Sequence, residues 1–378
     1  MTDQNQQKAL SKEQIDSVIA LYSSGQYQEA IDQIKILNGL YPNVPFLFNL
    51  VGACYKELGQ LEGAAKMFEA AVGIKLDYAE AHKNLGITLR DLGQKEQAIE
   101  SLKKAIEIDS NYVDAYYNLA ITFKDLDQVE ESVQIYKKVI EINPKFAQAH
   151  NNLGNIYKGL GKNKEAIQSF EEAIKINPNF AQAHNNLGNV FKDLGQPNDA
   201  IQSYKTAIEI KPDFAEFYYN LGLSLKNIAK FDEAIISFND AIANNPNFAE
   251  AHNDLGSCFT LLGQMSKALD SYKKAIAIKP DFAEAHNNLG NVFNLMGKVK
   301  SAIKSFELAV SFDADFAEAL NSLANVFKKL KKRSKALLYY ENAAATKPDL
   351  DFIFGDILNI KMHLSIWNDL PINLKDLE

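Results

Sequence analysis

Only two cysteines, Cys54 and Cys258, and one tryptophan, Trp367, occur in the 378 residues. So few thiols exclude a disulfide-stapled scaffold. The two cysteines hold the same place in repeated segments, so a linear stack would keep them beyond disulfide reach, which fits a reducing, cytoplasmic setting. No apolar run approaches the roughly 18 residues that cross a bilayer. The amino-terminal stretch MTDQNQQKALSKEQ is polar and lacks the apolar core of a secretory signal. Positive charge is the minority sign: 40 Lys and Arg stand against 48 Asp and Glu, a formal net charge of −8. That balance is wrong for neutralising phosphates along a nucleic acid, so no nucleic-acid partner and no membrane partner are expected. The one contrary feature, Lys328, Lys329, Lys331, Lys332, Arg333 and Lys335, reads as a solvated helix end and turn. Also lacking are a Gly-rich phosphate loop after a strand, a Ser-His-Asp or Cys-His set and a cluster at metal spacing. No catalytic residue, metal ligand or cofactor is therefore expected in this chain.

What is present is a 34-residue pattern written ten times without a gap over residues 11–350, preceded by a polar extension over 1–10 and followed by a different segment over 351–378. The units are 11–44, 45–78, 79–112, 113–146, 147–180, 181–214, 215–248, 249–282, 283–316 and 317–350. A period of this length marks stacked supersecondary units, which behave as one long array rather than as separate globules.

Numbering each unit 1 to 34, positions 4, 7, 8 and 11 share a helical face, as His184, Leu187, Gly188 and Phe191 do in the sixth unit. That face is expected to be buried, with the small residue at position 8 admitting a neighbouring helix. Positions 20, 24 and 27 form a second stripe, Ala200, Tyr204 and Ala207 in the same unit. Leu-Gly pairs such as Leu194-Gly195 should close the first helix near position 14. Proline at position 32, as in Pro144, Pro178 and Pro212, stops the second.

With Leu-Gly, an aromatic, Ala, an aromatic and Pro at these intervals, the units resemble the tetratricopeptide repeat family. The resemblance implies an all-α fold, a right-handed α-solenoid (superhelix) of about ten helix-turn-helix units with a C-terminal capping helix. It also implies a groove lined by the first helix of each unit. Position 4 departs from the family's frequent Trp: it is His82, His150, His184, His252 and His286. With no second ligand at zinc spacing, these histidines read as packed, hydrogen-bonded spacers.

Half a turn from the expected buried stripe lie positions 2, 6, 9 and 13. Position 6 reads Asn84, Asn118, Asn152, Asn186, Asn220, Asp254 and Asn288 in consecutive units, and Asn155, Asn189 and Asn291 recur at position 9. Asparagine is a poor helix former, and a carboxamide offers one acceptor and two donors, which matches a peptide group. First helices ~8–10 Å apart would meet an extended chain rising about 3.3 Å per residue at roughly every third residue. Two arrangements fit the ladder: it grips the backbone of an extended peptide or protein segment, or it bonds between helices and shapes the stack. Ligand contact is the expectation, because positions 4, 7, 8 and 11 already account for helix packing. Acidic residues at position 2, such as Glu80, Glu216 and Glu284, would favour basic or neutral partners.

The ladder resembles that of O-linked N-acetylglucosamine transferases, in which such amides bind extended substrate peptides. The segment Gly355, Leu358, Met362, His363, Leu364 and Trp367 is similar to the junction where bacterial relatives of that transferase, and the plant SPINDLY type, enter the sugar-transfer domain; Ser365 and Ile366 depart from that pattern. Under this resemblance the chain is the substrate-recruiting half of a longer glycosyltransferase. A scaffold that self-associates into a homodimer through its outer surface is a third arrangement open to such an array.

Overall fold

The computed structural model describes residues 10–349 and 353–364; Trp367, Pro371 and most of the polar leader lie outside the described residues. Among the described residues there are twenty-one helices and no strand. Each repeat is a helix A over positions 1–13 and a helix B over positions 17–30, as in the sixth, where Ala181–Asp193 is followed by Pro197–Ile210. The architecture is all-α, with each helix A packed on the helix B that follows it. The chain divides into two compact units, 1–179 and 180–378.

Helix A ends as the Leu-Gly pair requires. In the sixth repeat Gly195 takes φ 71°, and the Gln196 N–H reaches the Phe191 carbonyl at 2.8 Å, satisfying an end carbonyl of the helix. Where the pattern lacks glycine, Asp127, Ala229 and Lys331 adopt the same left-handed conformation. The turn geometry is thus imposed by packing even where the side chain resists it.

The second stripe packs as expected. Ala200, Tyr204 and Ala207 are fully buried, and the ring of Tyr204 lies so close over helix A that a Cβ at Gly188 would fall 2.7 Å from it. The same approach recurs at Gly154 under Phe170 and Gly290 under Phe306.

Helix A buries only part of the set the helical wheel suggested: positions 7 and 8 are enclosed, as Leu187 and Gly188 are. Positions 3, 5, 7 and 10 are buried in it, for example Ala149, Asn151, Leu153 and Ile156 in the fifth repeat. At positions 4 and 11, His184 and Phe191 are only half-buried. A wheel assumes one contact stripe, but helix A packs both on its own helix B and on the preceding helix B, so the enclosed arc is wider and rotated. The helix after the tenth repeat, Ile353–His363, buries Ile353, Ile357 and Ile360 at the equivalent of positions 3, 7 and 10. It is therefore an eleventh helix A.

Position 4 histidines act as spacers. The Nε2 of His82, His150, His252 and His286 lies 3.0–3.3 Å from the carbonyl six residues earlier, bridging helix A to the end of the preceding repeat. Burial lowers the pKa of His252, favouring the neutral ring there.

Candidate functional site on the helix A face

Position 6 of one repeat meets position 5 of the repeat before it. The Asn84 amide donates to Asn49 Oδ1, Asn220 to Asn185 and Asn288 to Asn253, each at 3.0 Å. Asn152 donates at 3.0 Å to the Tyr117 hydroxyl, and Tyr219 donates at 2.9 Å to the Asp254 carboxylate, across the same 35-residue step. A second partner comes from position 12 of the preceding repeat, 28 residues back: Arg90 donates to Asn118 Oδ1, and Lys226 pairs with Asp254. Lys328 meets Asp356 of the eleventh helix A in the same way. The ladder therefore has rungs between helices, built from positions 5 and 12 of one repeat and 6 of the next.

These rungs change the picture of freely outward-facing amides. Asn186, Asn220 and Asp254 are buried, while Asn84, Asn118, Asn152 and Asn288 are half-buried. For Asn84, Asn152, Asn220 and Asn288 the physical reason is the adjacent helix A, whose position 5 side chain takes a donor that would otherwise face solvent. Engagement is uneven. Asn152 donates to both Tyr117 and Tyr136 and accepts from Asn151. Asn118 is held by Arg90 and by its own helix through the Asp114 carbonyl, and the Asn186 oxygen accepts from Gln182 at 3.1 Å. The Asp254 carboxylate is matched by a cation and a hydroxyl, and burial together with that carboxylate raises the Tyr219 pKa, keeping it a donor. By contrast, the Oδ1 atoms of Asn84, Asn220 and Asn288 have no hydrogen-bond partner among the described residues, and none is sealed from solvent.

Position 9 divides by the ring beside it. Tyr204 donates to Asn189 Oδ1 at 2.7 Å, and Tyr340 does the same to Asn325 at 2.9 Å. In the repeats of Asn155 and Asn291 the ring is Phe170 or Phe306, which has no hydroxyl. Both amides are half-buried and without a hydrogen-bond partner among the described residues. The helix A face carries an open cleft of about 320 Å³ where Asn49, Lys56, Glu80, Lys83 and Asn84 meet the rings of Tyr22 and Phe46.

Position 5 was missed from sequence. Asn49, Asn185, Asn253 and Asn287 are at most 5% exposed, and the doubled asparagine in His-Asn-Asn was the available signal. Two adjacent amides cannot share one helix face, so one had to point toward the neighbouring repeat. Among the described residues no group of three or more His, Cys, Asp or Glu side chains could hold a metal ion, and no helix is long and apolar enough to cross a membrane.

A TPR repeat model matches residues 88–127, 122–161, 154–195, 188–228 and 256–297, and a tetratricopeptide repeat model matches 47–78, 215–248 and 283–316. The chain belongs to the tetratricopeptide repeat family. Among solved structures it is similar to MamA, at 32% identity over 44% of this chain and 97% of that one, with a TM-score of 0.41. It is similar also to YrrB, described as a TPR protein with an unusual peptide-binding site, at 29% identity over 50% of this chain and 96% of that one, TM-score 0.43. A chain of the APC/C hetero-tetramer Cut9–Hcn1 shares the fold across 91% of this chain and 82% of its own, at 15% identity and TM-score 0.53. No curated protein sequence matches the chain.

Proposed function

We propose that this chain is a protein-interaction scaffold whose helix A face holds extended polypeptide by its backbone. The observation that carries the reading is the set of open carboxamide groups on that face: the oxygens of Asn84, Asn220 and Asn288 and the whole amides of Asn155 and Asn291. With one donor of the Asn84, Asn220 and Asn288 amides committed to the preceding repeat, each oxygen is presented in a fixed direction, suited to a ligand backbone N–H. Each such bond contributes about 0.5–1.5 kcal/mol net, so affinity builds by repetition and tolerates many side-chain sequences. In this reading Asn118, Asn152 and Asp254 brace the rungs, and Asn186 and Asn189 lie beside the bound backbone.

The test separates bracing from binding. Asn220→Ala and Asn185→Ala remove the same inter-repeat bond, but only the first removes the open oxygen. Titration of labelled extended peptides should show weaker binding for Asn220→Ala and little change for Asn185→Ala. Equal losses would assign the ladder to bracing alone.

A second reading, the substrate-recruiting arm of a protein O-linked N-acetylglucosamine transferase, draws on the amide ladder. It draws also on the eleventh helix A, whose Gly355, Leu358, Met362 and His363, with Leu364 just after them, lie in the junction-like segment. Reading the gene past residue 378 tests it: an α/β sugar-nucleotide domain there supports this reading, and a stop codon ends it.

A further inference from the structure

The turn between helices A and B of the tenth repeat breaks a local rule that most repeats keep. From the first repeat to the seventh, helix B carries an acidic residue in its first turn, as Glu96, Glu165 and Asp199 do, where a carboxylate suits the positive end of the helix dipole. The last three repeats lack one. The tenth places Lys331, Lys332, Arg333 and Lys335 at that end instead, all of them exposed, and its N-cap residue Lys332 makes no side-chain capping bond. Lys328 and Lys329 stand at the end of helix A, where cations suit the dipole. The other four are the wrong sign for the helix end they crowd, and they repel one another.

Little in the chain offsets that conflict. Lys328 pairs with Asp356, and the Lys335 ammonium lies 5.5 Å from the centre of the Phe327 ring, which brings no net charge. Lys331, Lys332 and Arg333 have no ion-pair partner among the described residues. They border a shallow, open cavity of about 400 Å³ whose wall is completed by Ser334, Lys335 and Leu364, with no acidic side chain in it among the described residues. A local rule broken without compensation is the mark of a functional site, and an anion seated here relieves both the dipole and the crowding. Net charge is −8 while the six residues of the run carry +6, which leaves −14 on the rest of the chain. That surplus repels a nucleic acid or an anionic bilayer, each of which spreads well beyond one turn. A short acidic stretch of polypeptide meets the turn alone.

We infer that the basic turn of the tenth repeat is a docking site for an acidic segment of a partner polypeptide, held by Lys331, Lys332 and Arg333. The full chain is titrated with a labelled twelve-residue peptide of alternating Glu and Ser, with its Gln counterpart, with single-stranded DNA of the same length and with phosphatidylserine vesicles. The Glu peptide should bind at least about tenfold tighter than the Gln peptide and weaken as salt is raised. Lys332→Glu with Arg333→Glu should remove that binding and leave the melting temperature equal or higher, because the reversal suits the helix end. Equal binding of the Glu and Gln peptides, or Glu-peptide binding that survives the double variant, overturns the inference. Tighter binding of the DNA or of the vesicles overturns it too, by assigning the turn to another anion. A double variant that melts lower would show the cations to be structural and contradict the argument from conflict.

Discussion

Asn152 and Asn288 occupy the same place in the fifth and ninth repeats and are engaged differently. Asn152 gives its donors to two tyrosine hydroxyls, Tyr117 and Tyr136, and accepts from Asn151. Asn288 donates once, to Asn253. The source of the difference lies one repeat earlier. Tyr136 has Ile121 at position 9 of its own repeat, which offers no polar group, so its hydroxyl turns to the amide of the next repeat. Tyr272, in the corresponding place before Asn288, finds the Thr260 hydroxyl of its own repeat at 3.3 Å. Between these two repeats the rung is closed or open according to whether the ring hydroxyl is satisfied within its own repeat.

The largest expected effect strikes what the two regions share. Phe170→Ala and Phe306→Ala each empty a fully buried ring site over a glycine. Each should lower unfolding free energy by about 3–5 kcal/mol in urea titrations; a much smaller loss at one of them would mean that the packing template is not common to both. The next effect separates the regions. Asn152→Ala leaves two tyrosine hydroxyls without their partner and should cost about 2 kcal/mol, whereas Asn288→Ala, which removes one bond, should cost about 1 kcal/mol. The same melts measure both.

Ala229 holds a left-handed turn that glycine holds in most repeats, at φ 59°. Ala229→Gly should therefore stabilise by up to about 1 kcal/mol, visible as a raised urea midpoint. Burial pushes the thiols of Cys54 and Cys258 up to about 11. The folded value lies above the ordinary thiol value of 9.0, so the stabilisation is complete below pH 9 and is lost as pH rises through about 11. At pH 8 both thiols should resist alkylation in the native protein and react promptly once it is unfolded.

Much of the fold was legible in the sequence because its cues are local. Leu194-Gly195 carries its own turn chemistry, and the Ala200, Tyr204, Ala207 stripe states which face of helix B is enclosed. The face of helix A was legible only in part. Its burial depends on two neighbouring helices B, which a wheel drawn for one helix cannot include, so in the fifth repeat the wheel passes over Ala149 and Ile156 in favour of His150 and Tyr157. The asparagine ladder was visible as a row of residues, but its engagement was not. Whether Asn152 is closed and Asn288 open turns on Tyr136, Ile121 and Thr260, residues of another repeat brought alongside only by stacking.

The most direct measurement uses the ligand's own backbone. A peptide that binds the full chain is compared with copies N-methylated at single successive residues, which removes one N–H at a time and leaves every side chain in place. If carboxamide oxygens on helix A accept from ligand N–H groups, methylation should weaken binding about tenfold at roughly every third residue and little between. Uniform tolerance of N-methylation would contradict backbone capture by the asparagine ladder.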